Sequence, residues 1–289
     1  MKRLIVNADD LGADEARNSG ILDAILAGSV TSVSILPNGP ALEDAIQRIH
    51  SIGCGNVSTG IHINLSEGRP LSPGLRYITG SNGSFLGKAA SHRLFTQPGN
   101  AELQREVRKE IEAQILLLRS CGISMDHLDG HQHIHIFPAV VSVSAEAAKA
   151  NGISWIRIPE EPSEIGANES QDVSTAEEAR FFSGHAEAAR PLMEMMGIFV
   201  TDNFRGLRLK GRLPASQWVK FLDEIPNGLT ELMVHPGRTF FGPGASTPFS
   251  GFSTIERETE LKALIDGRFS AALRQTDVAL TRFPEAFPV

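Results

Sequence analysis

Short apolar or β-branched runs alternate with longer helical patterns along the whole chain. This alternation is typical of βα units and predicts a parallel sheet flanked by helices. The predicted strands are Leu4–Val6, Thr31–Leu36, Val57–His62, Met125–Asp129, Ile153–Ile158, Ile198–Thr201 and Glu231–Val234. The predicted helices are Ala13–Ala27, Ala41–Ile52, Ala101–Ser120, Pro138–Ala150, Ala176–Met196, Ala215–Ile225 and Thr254–Ile265.

These elements favour the α/β class and a distorted (β/α) barrel that is TIM-barrel-like, with seven or eight parallel strands. No linker divides the chain, so we expect one catalytic domain over residues 1–289. Two stretches, Ser66–Asn100 and Pro159–Thr175, are rich in Gly, Pro and Ser and are predicted to be long loops. Loops of that length usually carry function or disorder.

Composition excludes several classes of partner. The chain of 289 residues has 27 Lys and Arg against 34 Asp and Glu, a net charge of −7, and no basic cluster, so nucleic acid is not an expected partner. The first apolar run stops at Asn7, and no later run is long enough to span a membrane. Cys54 and Cys121 are far apart, which fits reduced thiols. We therefore expect a cytoplasmic protein with a small-molecule substrate. The sequence leaves open whether the protein forms a homo-oligomer.

Polar residues follow the predicted strands at their C-terminal ends. In a parallel barrel these ends form one rim, so residues that are distant in sequence converge on one pocket. The residues at these positions are Asp9, Asp10, His62, Asp129, His131, Arg157, Asp202, His235 and Arg238.

The pair Asp9-Asp10 has two interpretations. One carboxylate binds a cation while its neighbour acts as a general base, or one carboxylate caps the next helix and the other faces water. His62 alone fits a buried core histidine, but its position at the rim favours a ligand. His235 precedes a Pro-Gly turn, where it is either a turn residue or an acid for a leaving group.

The segment His127–His135 is the strongest local signal, because it has four histidines and an aspartate at odd positions. If the segment is extended, these side chains lie on one face. At about 3.3 Å per residue its ends are roughly 26 Å apart, so only one or two of them reach one metal ion. We expect His127 and His135 to form supporting hydrogen bonds. Asp129 and His133 are predicted to contact substrate or to support the ligands.

A mixed Asp/His set without cysteine suits one divalent ion, Mg²⁺ or Zn²⁺. Such a triad leaves coordination positions open, as a catalytic site requires.

Five ordered motifs resemble the YdjC/ChbG-like carbohydrate deacetylase family. They are Asn7–Gly12 (NADDLG), Gly60–His62 (GIH), His127–His135 (HLDGHQHIH), Glu231–Gly237 (ELMVHPG) and Arg257–Leu261 (RETEL). The resemblance implies a metal-dependent hydrolase that removes the N-acetyl group from amino sugars such as chitooligosaccharides. It also implies that Asp10, His62 and His131 bind the metal and that Asp9 is the general base.

His235 matches a histidine of the family's C-terminal motif, and its position suggests that it is the acid. Arg157, Asp202 and Arg238 are expected to hold substrate or to support the site. Two alternatives remain. One is a metal-dependent hydrolase of a phosphoester or cyclic amide, whose two-ion form would draw further ligands from Asp129 and His133. The other is a non-catalytic carbohydrate-binding barrel.

Overall fold

Eight parallel strands build the sheet of this protein. The computed structural model describes residues 1–53, 55–162, 173–209, 214–239, 249 and 253–287. The strands are β1 (Lys2–Leu11), β2 (Ser32–Ile35), β3 (Ser58–Ile63), β4 (His127–Gly130), β5 (Trp155–Ile156), β6 (Asn203–Arg205), β7 (Gly228–Val234) and β8 (Val278–Leu280). Seven of them follow the order β5-β4-β3-β2-β1-β7-β6, and β8 pairs with β1. The predicted α/β class and parallel sheet are confirmed.

The sheet is a half-barrel centred on β1. Strand β7 pairs along Lys2–Ala8, while β8 and β2 share the other edge, at Lys2–Leu4 and Asn7–Leu11. The end strands β5 and β6 are not paired with each other within the described residues, and Trp155 of β5 forms an isolated parallel bridge with Phe199, which precedes β6. Because the strands are parallel, the C-terminal ends of β1, β3 and β4 lie at the same edge of the sheet, with β2 between β1 and β3.

Nine helices are described, and they flank the sheet. They are α1 (Glu15–Leu26), α2 (Leu42–Ile52), α3 (Lys88–Phe95), α4 (Ala101–Ser120), α5 (Val141–Ala150), α6 (Val173–Met196), α7 (Trp218–Glu224), α8 (Ile255–Ile265) and α9 (Gly267–Gln275). Asn100 caps α4 as expected, since its side chain accepts a hydrogen bond from Leu103 N at 2.8 Å. No helix among the described residues has the length and apolar character needed to cross a lipid bilayer.

Several predicted boundaries are wrong. The predicted loop Ser66–Asn100 contains helix α3, and α5 begins three residues after Pro138. Of the predicted loop Pro159–Thr175, residues 163–172 lie outside the described residues, as does Cys54. The predicted strand Ile198–Thr201 is not a strand. Its backbone pairs with the sheet through an isolated bridge at Phe199, and the paired strand starts at Asn203.

The prediction that the histidine segment is extended is wrong beyond Gly130. Strand β4 ends there, and His131–Ile136 forms a 3₁₀ turn in which Gln132 and His133 have φ values of 55° and 56°. A Cβ atom at Gly130 would lie 3.0 Å from His135 Nδ1, so the absence of a side chain lets the turn fold back.

Close packing of α1 on the segment after β7 helps to bring both ends of the chain to the same rim. A Cβ atom at Gly20 would lie 2.6 Å from Gly237 Cα, so this contact is backbone against backbone. Strand β1 is buried throughout Leu4–Ala8, as expected of a parallel strand that is covered on both faces.

Candidate metal and catalytic site

Asp10, His62 and His131 converge at the C-terminal ends of β1, β3 and β4. Asp10 Oδ1 lies 2.9 Å from His131 Nδ1 and 3.3 Å from His62 Nε2. All three side chains are buried, and one ligand atom from each lies within 4.8 Å of the others. Asp10 has a φ of 66°, a strained conformation of the kind that clusters at functional sites. This donor set fits a divalent cation such as Zn²⁺.

Each histidine of this cluster has a second carboxylate on its other ring nitrogen. His62 Nδ1 lies 2.7 Å from Asp129 Oδ1, and His131 Nε2 lies 3.0 Å from Glu67 Oε2. Burial alone would lower the pKa of His62, but the carboxylates of Asp129 and Asp10 raise it to about 10. The cluster therefore attracts positive charge.

Arg157 lies beneath the cluster and binds three buried carboxylates. Its Nη1 and Nη2 donate to Asp9 at 2.6 and 2.7 Å, Nη2 also contacts Asp129 at 2.8 Å, and Nε donates to Glu231 at 2.8 Å. Burial would lower the pKa of this guanidinium, but Asp129, Asp9 and Glu231 raise it. The arginine thus carries a permanent positive charge and fixes the orientation of Asp9.

A second possible ion cluster joins Asp9, His62 and Asp129. In this structure, Asp9 and Asp129 already share the guanidinium of Arg157. A second cation would have to compete with that fixed charge, so the geometry favours a single ion.

Asp9 and His235 lie next to each other and line the same cavity as the cluster. Asp9 Oδ2 is 3.9 Å from His235 Nε2, and Asn7 Nδ2 donates to Asp9 Oδ1 at 2.8 Å. Burial raises the pKa of Asp9. Burial and the charge of Arg257 lower the pKa of His235 well below its usual value. A carboxylate that takes up a proton readily therefore faces a histidine that is neutral near pH 7.

The cavity has a volume of about 210 Å³. Six of the predicted residues line it, namely Asp9, Asp10, His62, His131, His133 and His235. The apolar side chains of Phe182, Leu207 and Met233 are also part of its wall. The cavity thus combines polar and apolar walls.

Two of the predicted residues lie away from this cavity. Because β6 begins at Asn203, Asp202 precedes the strand, and its carboxylate accepts a hydrogen bond from Leu229 N near the start of β7 at 2.7 Å. That is the end of the sheet opposite the cluster. Arg238 is half-exposed and pairs with Asp23 on α1 at 2.6 Å. Neither side chain is brought to the other predicted residues.

His127 and His135 are buried beside the site. His127 Nε2 lies 3.1 Å from Ser34 Oγ, and its ring stacks on Phe283 with centroids 4.2 Å apart. His135 Nε2 lies 2.9 Å from the carbonyl oxygen of Arg157.

The sequence reasoning missed several charged residues at the site. Lys88, Glu178 and Arg257 line the cavity, and three others contact the predicted residues directly. Glu67 contacts His131, Glu231 contacts Arg157, and Arg17 Nη1 lies 3.5 Å from Asp10 Oδ2. Glu231 begins the ELMVHPG motif, and Glu67 follows His62 by five residues. Neither position by itself indicates a contact with Arg157 or His131.

Comparison with known proteins agrees with this geometry. The sequence profile of the family described as YdjC-like protein matches residues 3–275. The chain belongs to the YdjC-like family. The resemblance seen in the motifs is therefore confirmed over nearly the whole length.

Several relatives in this YdjC-like group are named carbohydrate deacetylase. The mouse and human proteins are each 38% identical over 295 residues, which cover 96% of this chain and 93% or 89% of theirs. The protein of Brevibacillus brevis is 25% identical and covers 98% of this chain and 99% of its own. A solved protein of Enterococcus faecalis V583 shares the fold, with a TM-score of 0.73, 20% identity and 98% coverage of both chains.

Proposed function

We propose that this chain is a carbohydrate deacetylase, the activity for which its relatives are named, and that it hydrolyses the N-acetyl group of an acetylated amino sugar such as a chitooligosaccharide. The observation that carries the proposal is the convergence of Asp10, His62 and His131 in one cavity with Asp9 and His235. This arrangement would supply a cation site, a base and a proton donor together.

Asp10, His62 and His131 would hold one divalent ion, Mg²⁺ or Zn²⁺. When bound, the ion would act as a Lewis acid that polarises the acetyl carbonyl and favours ionisation of water. Asp129 supports this role, because it contacts His62 Nδ1, the ring nitrogen that does not face Asp10.

Asp9 would accept the proton of the attacking water. Arg157 binds both of its carboxylate oxygens, and this fixes the orientation of the group while the C–O bond forms. Its raised pKa makes Asp9 a better base than an exposed aspartate.

His235 would return that proton to the sugar nitrogen as the C–N bond breaks, which gives acetate and a free amine. The low pKa of His235 means that it starts neutral, so it must first gain the proton. Asp9 Oδ2, at 3.9 Å from Nε2, is the nearby source. One proton of water thus reaches the amine and the other is released when acetic acid ionises to acetate, so no external acid is required.

The walls of the cavity support an acetyl substrate. Phe182, Leu207 and Met233 provide apolar surface for a methyl group, and His133 is available to a polar group of the sugar. The volume of about 210 Å³ suits one sugar unit better than several.

The test is acetate release from N-acetylglucosamine, its oligomers and related acetylated sugars. We expect release that stops after chelation and returns when Mg²⁺ or Zn²⁺ is added back. If none of these sugars yields chelator-sensitive acetate, the proposal is wrong. Ion stoichiometry measured on the same samples tests the two-ion alternative, because we expect one ion per chain.

A further inference from the structure

Glu67 contacts a proposed metal ligand, although neither the motifs nor the proposed mechanism gives it a role. Its Oε2 lies 3.0 Å from His131 Nε2, and its side chain is 24% exposed. The other ring nitrogen of His131, Nδ1, faces Asp10 Oδ1 at 2.9 Å. Glu67 therefore binds the nitrogen of His131 that points away from the proposed ion.

His62 has the same arrangement with its two ring nitrogens exchanged. Its Nε2 faces Asp10 at 3.3 Å, and its Nδ1 is held by Asp129 at 2.7 Å. A neutral imidazole that donates one N–H has its lone pair on the other nitrogen. A carboxylate on the far nitrogen therefore fixes both the tautomer and the orientation of a metal-binding histidine.

The backbone fixes both partners of the contact between Glu67 and His131. On one side, Gln132 and His133 adopt strained left-handed conformations, which end the extended path directly after His131. On the other side, Asn64 Oδ1 accepts from Glu67 N at 3.1 Å, and Asn64 Nδ2 donates to Glu67 O at 2.8 Å. The contact is therefore built into two turns of the chain.

We propose that Glu67 is a positioning residue for the cation site: it accepts a hydrogen bond from His131 Nε2–H and thereby directs His131 Nδ1 at the cation. Asp129 does the same for His62 through the opposite nitrogen. The inference rests on the proposed function, because it requires that Asp10, His62 and His131 bind an ion. Unlike Asp129, Glu67 does not contact Arg157 in the described structure, so it can be changed without disturbing Asp9.

The test is Zn²⁺ affinity of the full chain, measured after metal removal by competition with a chromophoric chelator. Removal of such a supporting group costs about 10- to 100-fold in metal affinity, so we expect that loss for Glu67→Ala. Glu67→Gln keeps an oxygen that accepts from Nε2–H, so its affinity should return most of the way to wild type. Glu112→Ala, on the exposed side of α4, is the matched control and should be unchanged. Thermal unfolding without metal shows that each variant folds.

The outcomes separate this inference from the proposed function. If the wild-type chain binds no Zn²⁺, the proposed cation site is wrong. If the wild type binds Zn²⁺ and Glu67→Ala binds it equally well, only the role of Glu67 is overturned. A loss in Glu67→Ala as complete as in His131→Ala, without recovery in Glu67→Gln, would make Glu67 a ligand and would also overturn it.

Discussion

Replacement of Arg157 by methionine removes the shared cation of three buried carboxylates. The guanidinium is fully buried and reaches Asp9, Asp129 and Glu231 at 2.6–2.8 Å. Removal of one partner from a buried ion pair costs about 3–5 kcal/mol, because the remaining charge is unpaired. Burial already raises the pKa of Glu231 to about 7, so this group can become neutral at little cost. We therefore expect a loss of about 4–5 kcal/mol, and not three times the cost of one pair.

The assay is urea unfolding of the metal-free chain at neutral pH. Arg105→Met is the matched control, because Arg105 pairs with Glu102 at 2.7 Å but both side chains are largely exposed, at 72% and 52%. Exposed pairs contribute about 0.2–1 kcal/mol, so this variant should lose no more than that. The contact distances are similar, so the comparison sets a buried network of three carboxylates against one exposed pair. If Arg157→Met lost no more stability than Arg105→Met, the reasoning about the buried network would be refuted.

Three further changes test other parts of the structure. His131→Ala should lose bound metal and acetate release together, whereas Asp9→Asn should keep metal and lose activity; parallel loss of metal would show that the carboxylate roles are divided wrongly. Burial lowers the pKa of His92 to about 4, so as pH falls the unfolded chain binds the proton before the folded chain does. The folded state is therefore destabilised relative to the unfolded state as pH falls from about 6.5 to 4. In His92→Leu the free energy of unfolding should vary less with pH in that range, and an unchanged pH dependence would count against this. Gly60→Ala places a Cβ atom 2.3 Å from the ring of His127 and should cost about 1–3 kcal/mol in urea unfolding; a neutral effect would contradict that packing.

The predicted rim explains why several distant residues converge in this fold. Parallel strands point their C-terminal ends the same way, so a residue at or directly after the C-terminal end of a strand is placed by topology alone. Asp9, Asp10, His62, His131 and His235 satisfy this rule and share one cavity.

Asp202 shows where the same rule fails. The apolar run Ile198–Thr201 resembles a strand, yet the paired strand starts at Asn203. A boundary error of a few residues moves Asp202 from one end of the strand to the other, and therefore to the opposite side of the sheet. Hydrophobic pattern locates a segment near the sheet, but hydrogen bonding decides where the strand begins.

The supporting contacts could not be predicted, because they join side chains from unrelated segments. Arg157 connects β1, β4 and β7, and Glu67 reaches His131 only because the chain turns sharply at Gln132. Short motifs hold the residues that face the cavity, whereas their partners depend on the tertiary structure. The ion stoichiometry depends on the same contacts. Asp9, His62 and Asp129 form a second carboxylate-rich cluster, and the position of the Arg157 guanidinium shows that its two carboxylates already have a cationic partner.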